Sequence, residues 1–160
     1  MRVRAAGPGD GDALWAILAP IFAAGETYAI DPKIGRAEAL ELWTGGSHRA
    51  FVIEAAEPLG TYYIGPNQGG GGAHVANAGF ATASGATGRG VARAMLDHAL
   101  ATAVTMGFRA MQFNFVVATN TRALDIWTRA GFETVGRLPG AFRNPKAGYV
   151  DALILYRWLV

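Results

Sequence analysis

The stretch Ser84–Leu100, SGATGRGVARAMLDHAL, decides how the rest of this sequence is interpreted. Three glycines and several small residues lead directly into a pattern that is typical of a helix. The first backbone N–H groups of a helix have no partner within it, and the helix dipole favours negative charge there. Glycine also lets a ligand approach the backbone closely. The segment Thr87–Ala92 therefore predicts a phosphate or pyrophosphate site, and the alternative is a glycine-rich turn that binds nothing.

Two familiar phosphate-binding motifs do not fit this loop. A P-loop ends in Gly-Lys-Ser or Gly-Lys-Thr, and the sequence contains no Lys-Ser or Lys-Thr pair. The dinucleotide fingerprint needs a third glycine, but this chain has Arg93 at that position after Gly88-Arg89-Gly90. The loop therefore predicts neither a P-loop nucleotide site nor a dinucleotide site.

The composition bounds the class of protein. Of the 160 residues, 51% are hydrophobic, which is enough for one core, and the net charge of +2 is too small to indicate nucleic acid. The absence of cysteine excludes a thiol nucleophile, cysteine-based zinc sites and disulfides. Neither a leader pattern, nor a membrane-length apolar run, nor metal-site spacing among the three histidines is visible. We expect a soluble, cytoplasmic protein that binds no nucleic acid, no membrane and no metal.

Hydrophobic periodicity divides the chain into eleven elements. Helices are predicted at Gly11–Ala24, Ala37–Trp43, Arg89–Met106 and Thr121–Ala130. Strands are predicted at Val3–Ala6, Ala50–Ala56, Leu59–Gly65, Ala73–Ala83, Arg109–Val117, Phe132–Leu138 and Tyr149–Leu159. The resulting order, β-α-α-β-β-β-α-β-α-β-β, indicates an α/β (α+β) fold with a mixed sheet.

A second segment, Asn120–Glu133, NTRALDIWTRAGFE, lies downstream of the loop. Together the two segments resemble the GNAT family, the acetyl-CoA-dependent N-acetyltransferases. The family's loop is Gln/Arg-x-x-Gly-x-Gly/Ala, which aligns with Thr87–Ala92. Its later motif is Asn-x-x-Ala-x-x-x-Tyr-x-x-x-Gly-Phe. That motif aligns with Asn120, Ala123, Trp127, Gly131 and Phe132. The order of helices and strands is also similar over nearly the whole chain.

The resemblance implies one acetyltransferase domain over residues 1–160, with a mixed, mostly antiparallel sheet of about seven strands, about four helices and a splayed central strand pair. The cofactor would be acetyl-CoA, with its acyl-pantetheine arm in the splay and its pyrophosphate on the loop. Backbone N–H groups near Phe80 and Ala81 would polarise the thioester carbonyl. The residues implied in cofactor binding are Phe80, Ala81, Thr82, Thr87, Gly88, Arg89, Gly90, Val91, Ala92, Asn120, Ala123 and Trp127.

Two positions depart from the family pattern. Thr87 stands where the family usually has Gln or Arg, and Arg89 is expected to supply the missing charge. Trp127 replaces the tyrosine that is often proposed as the general acid for the leaving thiolate. Because an indole N–H does not titrate in water, we expect the thiolate to leave without a side-chain acid. Trp127 would then pack against the pantetheine arm, and the alternative is a purely structural core residue.

Asparagines stand in two predicted strands, where this residue is uncommon. In the strand at Arg109–Val117, alternation predicts one face with Met111, Phe113, Phe115 and Val117 and another with Gln112, Asn114 and Val116. Asn77, Phe80, Asn114, Asn120 and the segment 136–158 resemble a group within the family that acetylates proline analogues such as azetidine-2-carboxylate. That resemblance implies that Asn77 and Asn114 bind the substrate carboxylate. The alternative is that both amides only tie the sheet together.

Several residues are candidates for catalysis and acceptor binding. With no cysteine to carry the acetyl group, the amine should attack directly in a ternary complex. The resemblance gives Asn77, Phe80 and Asn114 catalytic positions. The general base is left open between His74, a group near the acceptor, and water. The residues expected around the acceptor are Glu26, Tyr28, Asn77, Asn114 and Asp151.

The sequence thus predicts an acetyl-CoA-dependent N-acetyltransferase that acts on the amine of a small amino or imino acid. A protein, peptide or polyamine acetyltransferase is one alternative, and a non-catalytic acyl-CoA-binding regulatory module is another. Leu153, Leu155 and Trp158 could form a homodimer contact, although the core face of the last strand explains the same pattern.

Overall fold

The computed structural model describes residues 1–160 and contains seven strands and four helices. The helices are α1 (Gly11–Ala24), α2 (Arg36–Thr44), α3 (Val91–Thr105) and α4 (Thr121–Arg129). The strands are β1 (Arg2–Ala5), β2 (Arg49–Glu54), β3 (Pro58–Pro66), β4 (Val75–Thr82), β5 (Ala110–Val117), β6 (Glu133–Asn144) and β7 (Gly148–Trp158). This is the predicted order of elements. None of the helices combines the length and apolarity needed to cross a bilayer.

All strands join one sheet in the order β1-β2-β3-β4-β5-β7-β6. Every neighbouring pair is antiparallel except β4 and β5, so the predicted mixed, mostly antiparallel sheet is confirmed. The sequence ended β6 too early, at Leu138, because Pro139-Gly140 resembles a turn. The strand continues to Asn144 through a register shift between Leu138 and Phe142. Since β6 lies at the edge of the sheet, a proline is tolerated there.

The central parallel pair is very short. β4 and β5 are in register only at Val75 with Ala110 and at Ala76 with Met111. Beyond these two pairs the strands separate, whereas β4 stays paired with β3 as far as Thr82. The predicted splay between the two central strands is therefore confirmed, and it opens on the β5 side of β4.

β5 does not alternate as the sequence predicted. Phe113 pairs with Leu155 of β7 and Val116 pairs with Leu153, so three steps along β5 match two along β7. This bulge turns Val116 to the face of Phe113, and both are buried in the core beneath α3 and α4. The predicted faces are wrong beyond Phe113, because an extra residue in one strand shifts the two-residue period.

Leu153 and Leu155 belong to the core, while Trp158 is 57% exposed. The core explanation of this strand is therefore correct for the two leucines. A homodimer contact through them is excluded, since their side chains are covered by the protein itself.

An aromatic cluster fixes the connection between α1 and α2 (residues 25–35) against the sheet. Tyr28 of this connection packs edge-on against Phe22 of α1 and Trp43 of α2, with ring centroids 5.6 and 6.1 Å away. The buried Trp43 indole N–H donates to the Thr61 hydroxyl of β3 at 3.0 Å, and that hydroxyl donates to the Phe51 carbonyl at 2.7 Å. This chain of hydrogen bonds attaches α2 and the aromatic cluster to the sheet.

We predict that Thr61→Val lowers the free energy of unfolding by about 1–3 kcal/mol. Valine keeps the shape but leaves the Trp43 N–H buried without an acceptor. Urea unfolding followed by circular dichroism measures the change. The matched control is Thr44→Val on the exposed side of α2, where the change should stay below about 0.5 kcal/mol. Equal unfolding midpoints for Thr61→Val and the wild type would contradict the prediction.

Candidate active site

A cleft of about 1080 Å³ opens where β4 and β5 separate. Its walls are the second half of β4, the middle of β5, the connection between α1 and α2, and the first turns of α3 and α4. The volume slightly exceeds the usual range for small-molecule sites, so the cleft suits a large or extended ligand.

The glycine loop leads into one end of the cleft and presents free backbone N–H groups. Gly88 and Gly90 both have left-handed backbone conformations, with φ of 81° and 78°. α3 begins at Val91 with no side-chain cap and no acidic residue in its first turn. The first N–H groups of this helix are therefore available to a ligand, and the dipole favours an anion. The predicted loop residues Thr87, Gly88, Gly90, Val91 and Ala92 all line the cleft.

Two arginines beside this end of the cleft were missed by the sequence analysis. Arg93 of α3 and Arg122 of α4 line the cleft, whereas the predicted Arg89 is exposed and does not. Arg93 forms an ion pair with Asp97 at 3.0 Å, and Arg122 forms none within the chain. Both positions lie in the first turn of a helix that begins at the cleft. That shared location is the signal from which they could have been predicted.

The backbone of Phe80 faces the gap between the strands. Ala83 donates its N–H to Leu59 of β3, and alternate residues of an antiparallel strand point the same way. Ala81 therefore turns its N–H towards β3, and the expectation that it polarises a carbonyl in the cleft is wrong. Phe80 turns its N–H and carbonyl towards the cleft, where both bond to the hydroxyl of Tyr28. Thr82 also lines the cleft.

Asn77 bridges the strands at the point where they part. Its Nδ2 donates to the Gln112 carbonyl of β5 at 3.1 Å, and its Oδ1 accepts the Tyr63 hydroxyl at 3.3 Å. Burial raises the pKa of Tyr63, so this hydroxyl stays a donor at neutral pH. Asn77 lines the cleft and one of its two N–H bonds is already used, so a structural role is established beside any ligand contact.

Asn114 is exposed in the cleft and belongs to a chain of amides. Its Oδ1 accepts from Gln112 Nε2 at 2.8 Å, and its Nδ2 donates to Asn67 Oδ1 at 2.6 Å. Asn67, on the connection from β3 to β4, was not predicted from the sequence. Of the three side chains only Asn114 lines the cleft, and the other two hold its neutral amide in a fixed orientation.

Asn120, Ala123 and Trp127 of the second motif line the cleft together. Asn120 is the N-terminal flanking residue of α4, but its amide makes no capping bond, so helix capping does not explain it. Trp127 is buried, with its ring centroid 5.0 Å from that of Phe80 and 5.2 Å from that of Phe113. It therefore serves the core and the cleft wall at once, and it offers no titratable proton.

Glu26 is the only acidic side chain that lines the cleft. It forms an ion pair at 2.8 Å with Lys146, on the turn between β6 and β7, and this contact raises the pKa of Lys146. The turn is held by Asn144, whose Oδ1 accepts the N–H groups of Lys146 and Ala147. The pair links the connection between α1 and α2 to the β6–β7 turn, with Glu26 at the cleft.

His74 and Asp151 lie outside the cleft. His74 is exposed and stacks near Trp158, six residues before Phe80, which is about 20 Å along an extended strand. Asp151 accepts the Gly140 N–H at 2.9 Å and pairs with Arg137 at 2.6 Å. These two contacts lower the pKa of Asp151. The predictions of His74 as a general base and of Asp151 as an acceptor-binding residue are therefore wrong, because neither side chain reaches the splay.

Known proteins with similar sequences or structures support the same fold. The model of the acetyltransferase (GNAT) family matches residues 13–132. The N-acetyltransferase aca1 of Schizosaccharomyces pombe is 31% identical over 148 residues, which cover 81% of this chain and 71% of that protein. A GCN5-related N-acetyltransferase from Kribbella flavida is 41% identical, with a TM-score of 0.93 over 98% of this chain and 96% of that chain.

A more distant solved structure has the same fold. It is a phosphinothricin acetyltransferase (Pat) from Sinorhizobium meliloti in complex with AcCoA. Its identity is 18% and its TM-score is 0.84, over 98% of this chain and 87% of that chain.

We predict that Asp151→Asn is less stable than the wild type at neutral pH and equally stable in acid. A lowered carboxyl pKa stabilises the fold above the ordinary value of about 3.9, and the contribution is lost as the pH falls through the lowered pKa. Asparagine keeps an acceptor for the Gly140 N–H but loses the ion pair. Urea midpoints measured from pH 7 down to about pH 2 test this. A difference that persists undiminished in acid would contradict it.

Proposed function

The chain belongs to the acetyltransferase (GNAT) family, and on that premise we propose that it transfers the acetyl group of acetyl-CoA directly to the amine of a small amino or imino acid. Residues 1–160 would act as one acetyltransferase domain. The observation that carries the proposal is the single cleft that joins an uncapped helix N-terminus to an opened parallel strand pair. A pyrophosphate suits the first feature, and an extended acyl-pantetheine arm suits the second.

The residues at the end of the cleft where α3 begins fit coenzyme A. Backbone N–H groups of Gly88, Gly90, Val91 and Ala92 would bind the pyrophosphate, and Arg93 and Arg122 add positive charge beside it. Asn120, whose amide is unused, would bind the pantetheine arm. The relative from Sinorhizobium meliloti holds AcCoA in the same fold, which supports this choice of ligand. When bound, acetyl-CoA supplies the activated acetyl thioester.

The chemistry needs few groups from the protein. The Phe80 N–H would donate to the acyl oxygen, where negative charge develops during attack. Trp127 has no proton to give, so the sulfur would leave as a thiolate, whose conjugate acid has a pKa of about 8.5. Glu26 is the acidic residue of the cleft and would accept the proton of the incoming ammonium, directly or through water. The chain has no cysteine, so transfer would proceed in one step from donor to acceptor.

The acceptor class follows from the side chains opposite the loop. The amides of Asn77 and Asn114 are neutral donors that can bind a carboxylate, while Glu26 can bind its amine. An amino or imino acid presents both groups. The single carboxylate, Glu26, also favours a second candidate: a cationic amine such as a polyamine or a peptide N-terminus, which would not use the amides.

The cytoplasmic location and the homodimer remain predictions. A cytoplasmic site follows from the expectation made from composition and from the need for acetyl-CoA. A homodimer would have to form through a surface that does not include the buried side chains of Leu153 and Leu155.

We predict that Gly90→Ala raises the Kd for acetyl-CoA at least about tenfold, equivalent to ~1.4 kcal/mol. A side chain is strained at this φ of 78°, and its Cβ would project into open space at the helix N-terminus. Calorimetric titration measures the affinity. Gly85→Ala is the matched control, because Gly85 is exposed in the same loop without a positive φ and should change the Kd less than about twofold. Equal effects of the two variants would contradict the phosphate site.

We predict that Asn114→Asp raises the KM for amino and imino acids by at least about tenfold, because the new carboxylate repels theirs. The KM for a polyamine should stay equal or fall. Thiol release is measured with azetidine-2-carboxylate, proline, methionine sulfoximine, phosphinothricin, spermidine and a short peptide.

Asn120→Asp is the control for the acceptor experiment, since it adds the same charge on the pantetheine side and should change the KM for acetyl-CoA instead. An unchanged KM for amino acids in Asn114→Asp would exclude the carboxylate contact. Turnover of spermidine or the peptide alone would establish the second candidate. Binding of acetyl-CoA without thiol release on any acceptor would favour the regulatory module.

A further inference from the structure

One hydroxyl satisfies both backbone groups of Phe80 in the cleft. The Tyr28 hydroxyl accepts the Phe80 N–H at 2.9 Å and donates to the Phe80 carbonyl at 2.6 Å. Both groups lack a strand partner because β5 has already turned away from β4 at this point. Without Tyr28, two backbone polar groups inside the splay would have no partner in the protein.

Tyr28 reaches this position from a different part of the fold. Its ring is packed edge-on against Phe22 and Trp43, so the hydroxyl is aimed at the strand by the aromatic cluster. Burial raises the pKa of Tyr28, so the hydroxyl keeps its proton throughout the working range of pH. Its neighbours Glu26 and Thr27 line the cleft too.

The Phe80 N–H can serve only one oxygen at a time. An acyl oxygen bonded to this N–H has to stand about 2.9 Å from the nitrogen, where the phenolic oxygen now lies. The N–H and carbonyl of one extended residue point the same way, so a small shift towards the carbonyl would free the N–H while Tyr28 keeps its other bond. Exchange therefore requires no unfolding of the connection between α1 and α2.

We propose that Tyr28 is a positioning residue whose hydroxyl occupies the place of the acyl oxygen in the free enzyme and yields the Phe80 N–H to the thioester carbonyl when the acyl donor binds. The inference rests on the proposed function, because it needs an acyl thioester in the cleft. It distinguishes acylated from free coenzyme A, since only the acylated form carries a thioester carbonyl, the group that would displace the hydroxyl. After transfer, Tyr28 returns to the N–H and opposes rebinding of the acetylated product.

The test compares ligands with and without the carbonyl in Tyr28→Phe. Calorimetry gives the Kd for acetyl-CoA and for S-ethyl-CoA, a thioether of similar size that lacks the oxygen. Removing the competing hydroxyl should tighten the binding of acetyl-CoA relative to that of S-ethyl-CoA. The ratio of the Kd for S-ethyl-CoA to the Kd for acetyl-CoA should therefore rise by about three- to tenfold, the range of one hydrogen bond. An unchanged ratio would overturn the proposal. A fall in the ratio would also overturn it, since it would make the hydroxyl a donor to the acyl oxygen.

Tyr63→Phe is the matched control. It removes another hydroxyl from the cleft, but one that bonds to the side chain of Asn77, so the ratio should stay at the wild-type value. An equal rise in both variants would overturn the assignment to Tyr28. If the wild type bound neither ligand, the proposed function itself would fail, and this inference with it.

A second measurement uses the wild-type chain and does not depend on the folding of the variant. Fluorine NMR of protein containing 3-fluorotyrosine should show a resonance that moves with acetyl-CoA and stays in place with S-ethyl-CoA. Tyr63→Phe removes the other cleft tyrosine from the assignment. Identical spectra with both ligands would overturn the exchange.

Discussion

The parallel contact between β4 and β5 ends after two residue pairs, and the rest of the site depends on that. A continuous sheet would pair the backbone of Phe80 with β5 and leave nothing to offer a ligand. The sheet can open here because β4 is bonded to β3 along its whole length and β5 to β7, so neither strand relies on the other. The cost is a set of unpaired groups at an interior edge, and side chains have to satisfy them.

Tyr28 and Asn77 do this at successive points of the gap. Asn77 spans the place where the strands begin to part, and Tyr28 covers the backbone three residues further on. The Tyr28 hydroxyl and the Asn77 amide, which face the cleft, are thus also the groups that stabilise the open sheet. Electrostatics then divide the cleft: an uncapped helix N-terminus with Arg93 and Arg122 lies at one end, and the amides with Glu26 lie at the other.

Features that depend on local spacing were predictable from the sequence. The helices, the glycines at the start of α3 and the order of helices and strands along the chain follow from periodicity and turn chemistry over a few residues. The predictions that were wrong concern features that depend on contacts with residues far away in the chain. The β5 bulge is set by pairing with β7, the direction of the Ala81 N–H by pairing with β3, and the position of Asp151 by Arg137 and Gly140 on β6. Arg93 and Arg122 each stand near the start of a predicted helix, a signal present in the sequence, but that both helices begin at one cleft is set by the sheet.

The amide chain explains how the Asn114 side chain in the cleft stays ordered without a ligand. Gln112 donates to Asn114, and Asn114 donates to Asn67, so the side-chain oxygens of Asn114 and Asn67 each accept one hydrogen bond and the Asn67 Nδ2 makes no side-chain bond at the end of the chain. Carboxylates at these three positions would repel one another at hydrogen-bond distance, and lysines would do the same. Neutral amides avoid that repulsion, and because each has both a donor and an acceptor they can bond in a chain. Under the proposed function, a ligand carboxylate would meet the uncharged amides of Asn77 and Asn114, neither of which is held in an ion pair.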